Sequence, residues 1–266
     1  MSTMQDKRQA LDTDYELLYH PDIPGRGEFI RLVFEAAGVR YADIANEDQA
    51  NYELVQQTCS PESTGDADGN PPPFAPPALK IRGAGRDGKD LVISQTPNIL
   101  LYLGSKLGLI GSADHHLYYA NQLTLTALDL ANETHDTHHP IAVMKYYEEQ
   151  KDAALIRSAD FRETRMPKFF SYFERNLKSN ESEGRGKYLV SSKLTYADTT
   201  LWQVLDGLFY AYPKEMASRS KEFPLLFDTF YPAIKAETWL QDYMNSGRRL
   251  QYSDGLFRRY PELDRQ

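Results

Sequence analysis

The sequence predicts an α/β plus all-α protein: a small α/β domain over residues 15–108, an all-helical domain over 112–266, and a disordered tail at 1–14. Three observations carry this expectation. Up to Gly108 the patterning runs strand, helix, strand, loop, strand, strand, helix. Past that point no convincing strand pattern follows. Apolar residues there recur at helical spacing, without an internal repeat.

The first element, "YELLYH" (15–20), has strand character, and "PDIPGRG" (21–27) reads as a turn. In "EFIRLVFEAAG" (28–38), Phe29, Ile30, Val33, Phe34 and Ala37 share one helical side and Gly38 is the stop. "VRYADI" (39–44) is a second strand, and a β-α-β opening favours parallel strands with a right-handed crossover. A short helix fits "NEDQANYELVQQ" (46–57). The Pro-, Gly- and acid-rich "TCSPESTGDADGNPPPFAPP" (58–77) is a long loop, and loops of that length are usually functional or disordered. "ALKIRG" (78–83) and "KDLVIS" (89–94) form a hairpin. In "SQTPNILLYLG", Thr96 suits a cap, Pro97 suits the first turn, and Ile99, Leu100 and Leu103 share a face, with Gly108 as the stop.

The second half opens with a long helix over 114–139. Helix continues over 141–179, with a break near Ser158 and Met166–Pro167. A polar loop at 180–187 leads to an apolar helix, 194–213, whose start carries Thr195 and Asp198 at capping-box spacing. Two shorter helices fill 223–247.

With 266 residues, 26% charged and 41% hydrophobic, the chain has ample material for a core. Its net charge of −8, without a basic patch, excludes nucleic acid and anionic membrane surfaces as expected partners. No apolar run reaches the roughly 20 residues that span a bilayer. The polar opening lacks an apolar h-region and predicts no signal peptide. One cysteine, Cys59, leaves no intramolecular disulfide framework, and a cytoplasmic, reducing location is expected.

Four segments carry a resemblance: "YELLYHPDIPGRGEFIRLVFEAAGVRYAD", "PPALKI", "SQTPNILLYLG" and "SSKLTYADTTLW". In this order and spacing they resemble the glutathione transferase family, over about residues 15–247. The likeness is to a tyrosine-type, sigma-like member, divergent and of fungal type. It implies a thioredoxin-like N-terminal domain, an all-helical C-terminal domain, glutathione as cosubstrate, a small apolar electrophile and a homodimer.

The resemblance also implies a site. A helix N-terminus offers free N–H groups and partial positive charge, which suits a carboxylate. Gln95 and Thr96 match the positions that hold the γ-glutamyl carboxylate of glutathione; alternatively, Thr96 only caps its own helix and Gln95 is a surface residue. Pro77 matches the family's cis-proline, whose neighbour pairs with the cysteinyl backbone of the tripeptide. That neighbour here is Pro76, which has no N–H; in the alternative register the cis bond falls at Pro76 and the Ala75 N–H serves. A hydroxyl donated to sulfur stabilises a thiolate. Tyr19 matches the family's donor, with Tyr15 as the fallback on the same strand face and a plain core aromatic as the alternative. Arg26 matches an arginine supporting this region, or else pairs with Glu28. The family's Trp and Lys for the glycine carboxylate are missing from residues 45–77, leaving Lys80, Arg82 or a backbone group to serve.

The remaining chemistry-bearing residues carry less. His135, His138 and His139 near Asp136 have metal-like spacing, but they sit at a helix end where capping and solvated roles suffice, and no metal is expected. By the resemblance, His135 or His138 borders the electrophile site and Asp129 reaches a partner's glutathione. Cys59 has no CxxC companion and reads as incidental. Tyr118, Tyr119, Met144, Tyr146 and Tyr147 are available for an apolar pocket, a core role being the commoner one for each. The resulting expectation is thiolate activation by Tyr19 and conjugation to an apolar electrophile. A non-catalytic ligand-binding or regulatory protein on the same fold is the alternative, as is a glutathione-dependent isomerase or ether-cleaving enzyme.

Overall fold

In a computed structural model, which describes residues 14–266, four short strands form one sheet. They are β1 (Tyr15–Leu18), β2 (Ala42–Asp43), β3 (Ala78–Ile81) and β4 (Leu91–Ser94), in the order β2-β1-β3-β4. The helix α1 (Gly27–Ala37) separates β1 and β2 in sequence, and these two strands are parallel. The β1–β3 and β3–β4 pairs are antiparallel. The expected tail at 1–14 lies outside the described residues, apart from Asp14.

Two compact units result. The first holds the described residues through Asp22 together with Gly38–Ile99; the second holds Ile23–Ala37 and Leu100–Gln266. In the first, Leu18, Ala42, Ile44, Ala45, Val55 and Ala78 form a core cluster with Tyr52 and Val92 packed against it. The second strand is shorter than 39–44 because the chain turns into α2 (Ile44–Glu47) directly after Asp43. Extended backbone at Asp48 then interrupts the helix expected at 46–57, and α3 (Tyr52–Thr58) follows a single 3-10 turn.

The long loop is tied to the free edge of β4 by side chains. Asn70 Oδ1 accepts from the Val92 N–H (3.0 Å), Asn70 Nδ2 donates to the Asp90 carbonyl (2.9 Å), and Asp68 Oδ2 accepts from the Asp90 N–H (3.3 Å). Asp66 braces the turn, Oδ1 accepting from the Asn70 N–H (2.9 Å) and Oδ2 from its side-chain amide (2.8 Å). An edge strand presents unpaired backbone groups, and here side-chain amide and carboxylate groups occupy them.

The helix α4 (Thr96–Lys106) begins after β4, and α5 (His116–His138) follows. Residues 141–150 are not the continuous helix expected but a loop with a single 3-10 turn at Tyr147–Glu149. The Gln150 side chain holds them as a loop, its Oε1 accepting from the Ile141 and Ala142 N–H groups and its Nε2 donating to the Ala142 and Lys145 carbonyls. From α6 (Lys151–Asp160) the chain runs without a break through a π-bulge at Phe161–Arg165 into α7 (Met166–Ser179). Pro167 closely follows the π-bulge, whose shifted hydrogen-bond register accommodates its missing N–H within the continuous helix.

In the second unit α8 (Tyr196–Ala211) is almost wholly buried, with Leu201, Trp202, Val204, Leu205 and Leu208 at zero exposure. Its start is the capping box read from the sequence. Asp198 accepts from the Thr195 N–H (2.7 Å) and hydroxyl (2.8 Å), and also from the Leu189 N–H (2.7 Å). Burial raises the Asp198 carboxyl to about 7 against these hydrogen bonds. The shorter helices α9 (Pro213–Arg219), α10 (Tyr231–Lys235) and α11 (Thr238–Asn245) complete this unit.

Candidate functional site

One row of the sheet gathers four of the six candidate positions. Leu18 pairs with Ala78, and Ala78 pairs with Ser94. Tyr19 follows the first, Pro76 and Pro77 precede the second, and Gln95 follows the third. The antiparallel pairing thus brings all four to one end of the sheet. The peptide bond between Pro76 and Pro77 is cis, so of the two registers open from the sequence it is Pro77 that carries it. Pro76 presents a carbonyl and no N–H.

Tyr19 is buried at 5% exposure, its ring edge-on to His20 with centroids 5.1 Å apart. His20 was not singled out from sequence. Its Nδ1 and the Tyr52 hydroxyl share a 2.7 Å hydrogen bond, and burial lowers its pKa, favouring the neutral ring. A histidine following a strand-end tyrosine was the available signal. Tyr15 pairs with Ile81 at the other end of β1, four residues and therefore roughly 13 Å from the Tyr19 row.

Gln95 adopts φ 71°, a left-handed backbone that a residue with a side chain rarely takes. Such strain persists where surrounding structure over-determines it, commonly at ligand sites. The expectation that Thr96 caps its helix is corrected. The Ile99 N–H bonds to the Gln95 carbonyl (2.9 Å), so Gln95 is the capping position and Thr96 the first helical residue. Thr96 is 4% exposed, and its Oγ1 has no hydrogen-bond partner among the described residues. The first turn of α4 also leaves the Thr96 and Asn98 N–H groups without intrahelical acceptors, Pro97 having none. A buried unpaired hydroxyl beside such donors is a cradle for an anion.

Arg26 lies in the second unit, where its Nη1 donates to Asn132 Oδ1 (2.8 Å). The ion pair with Glu28 considered from sequence is not formed. Glu28 is fully buried and engaged by Arg249 (2.5 Å), the Tyr243 hydroxyl (3.0 Å) and Arg31 (3.1 Å).

The remaining candidates are placed as follows. Lys80 bonds Asp90 (3.1 Å) and approaches Glu16 (3.7 Å), so its charge is balanced within the sheet, while Arg82 is exposed. Cys59 caps the end of α3, and burial raises its thiol pKa. Tyr118, Tyr119, Met144 and Tyr146 are exposed rather than core, because 141–150 is a loop and α5 turns the first two outward. Tyr147 is buried and donates to Glu262 (2.9 Å). His138 Nε2 donates to the Leu256 carbonyl (3.3 Å), and His139 Nδ1 to that of Lys145 (3.0 Å). Their rings and that of His135 lie within 5.1 Å of one another. Asp129 is exposed on α5. Among the described residues, no group of three or more His, Cys, Asp or Glu is placed to hold a metal, and no helix is long and apolar enough to cross a membrane.

Known proteins resemble this chain. Residues 135–247 match the family described as "Glutathione S-transferase, C-terminal domain". A glutathione S-transferase of Plasmodium falciparum (isolate 3D7) is 27% identical over 223 residues, covering 80% of this chain and 87% of the relative. The structure of a sigma class transferase from Fasciola hepatica superposes with a TM-score of 0.64 at 19% identity, covering 88% of this chain and 97% of that one. A transferase from the hookworm Necator americanus, described as monomeric, superposes with a TM-score of 0.61 at 21% identity, covering 90% and 100%. The two structures establish the fold.

Proposed function

Because the chain belongs to the glutathione S-transferase family, we propose that it binds glutathione and activates its thiol for conjugation to a small apolar electrophile. The observation that carries this reading is the row Leu18–Ala78–Ser94, which sets Tyr19, the Pro76–Pro77 bond and Gln95 at one end of the sheet. In this reading the α4 N-terminus, the Thr96 hydroxyl and the Gln95 carboxamide receive the γ-glutamyl carboxylate. The Pro76 carbonyl accepts from the cysteinyl N–H. The Tyr19 hydroxyl donates to sulfur, so the thiol proton leaves to solvent and the thiolate remains. The thiolate then attacks carbon, a C–S bond forms, and the leaving group departs with its electron pair. Cytoplasmic detoxification by a homodimer extends the same reading, and sedimentation velocity tests the dimer.

Two observations favour a second reading, a binding protein with little catalysis. Pro76 offers one hydrogen bond where an N–H and a carbonyl would offer two, and Lys80 is neutralised by Asp90 and Glu16. Calorimetry with glutathione and turnover of an aromatic halide separate the two. Saturable binding that falls about tenfold in Gln95→Ala, consistent with one lost hydrogen bond to a charged group, supports the site. Turnover in addition supports the enzyme, and binding without turnover supports the second reading. Absence of saturable glutathione binding overturns both.

A further inference from the structure

The geometry points to a second binding cavity, roofed by the 58–73 loop, that takes a neutral, predominantly apolar small molecule. The cavity has a volume of about 390 Å³ and lies wholly within the first unit. Its apolar lining comes from Leu18 on β1, Val92 on β4, Leu54 on α3, and Pro71 and Pro73 on the loop. Tyr19, Pro76, Pro77, Gln95 and Thr96 are all absent from the lining, so it is a different site from the sheet end described above. Its existence does not depend on whether glutathione binds there.

The loop is built to hold this space open rather than to fill it. Asp66, Asp68 and Asn70 spend their side chains on the turn and on the β4 edge, with Val92 gripped through its N–H by Asn70 Oδ1 (3.0 Å). The loop is thereby fixed at the edge while its proline-bearing return crosses the cavity. Pro73 is buried. Leu54 is a large apolar side chain left 39% exposed on the cavity rim.

The ligand class follows from how the charges are used. Among the described residues Lys80 is the one basic side chain in the lining, and Asp90 (3.1 Å) and Glu16 (3.7 Å) already balance it. Asp66 accepts from the Asn70 N–H (2.9 Å), the Asn70 side-chain amide (2.8 Å) and the Asp68 N–H (3.0 Å). Asp68 accepts from the Asp90 N–H (3.3 Å). An anion would meet the Asp66 and Asp68 carboxylates and a cation the Lys80 ammonium, so neither sign finds an unopposed counter-charge in the lining. A neutral ring gains from covering Leu54, Val92 and Pro71, which are left partly or fully exposed, without disturbing any charged group.

Methyl NMR of the full chain titrated with indole tests this. The expected result is saturable shifts at the methyl groups of Leu18, Leu54 and Val92, with affinity at least tenfold higher than for benzoate or benzylammonium. Leu54→Glu sets a carboxylate on an exposed rim position that the fold tolerates, and it is expected to weaken indole at least tenfold. Tighter binding of benzoate or benzylammonium overturns the neutral class. Indole shifts that are unsaturable or fall only on other methyl groups, or equal affinity in Leu54→Glu, overturn the cavity.

Discussion

Leu18 faces Ala78 across the β1–β3 pair, and that single register sets the Tyr19 position beside the cis bond before β3. The pleat has a period of two. A one-residue slip would carry Leu18 out of its cluster with Val55 and Ala78 and displace Tyr19 from the row. Core packing and site assembly are therefore one constraint.

Strain at Gln95 separates stability from binding. Glycine accepts φ 71° without steric cost, whereas alanine retains about 1 kcal/mol of it. Gln95→Gly is expected to be about 1 kcal/mol more stable than Gln95→Ala by urea unfolding, with both losing glutathione affinity about tenfold. Lower stability of the glycine variant contradicts the strain.

Glu28 holds two arginines and a tyrosine in a fully buried position. Removing one partner of a buried ionic cluster typically costs about 3–5 kcal/mol. Glu28→Ala is expected to lose that much in chemical denaturation, far more than Glu35→Ala, whose partner Arg248 is exposed. Equal losses from the two variants would show that the cluster contributes nothing beyond a surface pair.

Acid should loosen the second unit through His138. Burial, followed by the charges of its neighbours His135 and Arg258, lowers this imidazole to about 3. Above its ordinary value of about 6.5 the ring is neutral folded and unfolded. As pH falls below that value the unfolded chain takes a proton that the folded chain refuses until about 3, so stability is lost across this window. The loss from this group is at most about 1.4 kcal/mol per pH unit. In His138→Gln the slope between pH 6 and 4 is expected to be shallower; an unchanged slope assigns acid sensitivity to other groups.

Asn70 joins the long loop to β4 through its side chain. In Asn70→Ala the Val92 amide is expected to exchange with deuterium at least tenfold faster, as a lost hydrogen bond worth about 1.4 kcal/mol implies. Unchanged exchange means the edge is protected otherwise.

The elements legible in the sequence were those with local signals. The strand-prone runs "YELL" and "LVIS", the Thr195–Asp198 spacing and the change of pattern after Gly108 each act over a few residues. Long-range polar pairing left no such trace. Nothing near Glu28 announces Arg249, 221 residues away, and nothing in the acidic loop announces that Asn70 would satisfy Val92 and Asp90. The loop at 141–150 differs from the helix expected for the same reason: its order comes from the side chains of Gln150, His139 and Glu149, not from periodicity. At the candidate site, the sequence names positions but not their backbone, and the left-handed turn at Gln95 moves the cap from Thr96 to Gln95.

The central claim is that the Tyr19 hydroxyl steadies a thiolate, and the most direct measurement is the pH titration of bound glutathione followed by thiolate absorbance. A free thiol titrates near 8.5, and one hydrogen bond to the charged form lowers this by about one to two units. The account expects a bound value below 8.5 that returns toward it in Tyr19→Phe. The same lowered value in both proteins would contradict it.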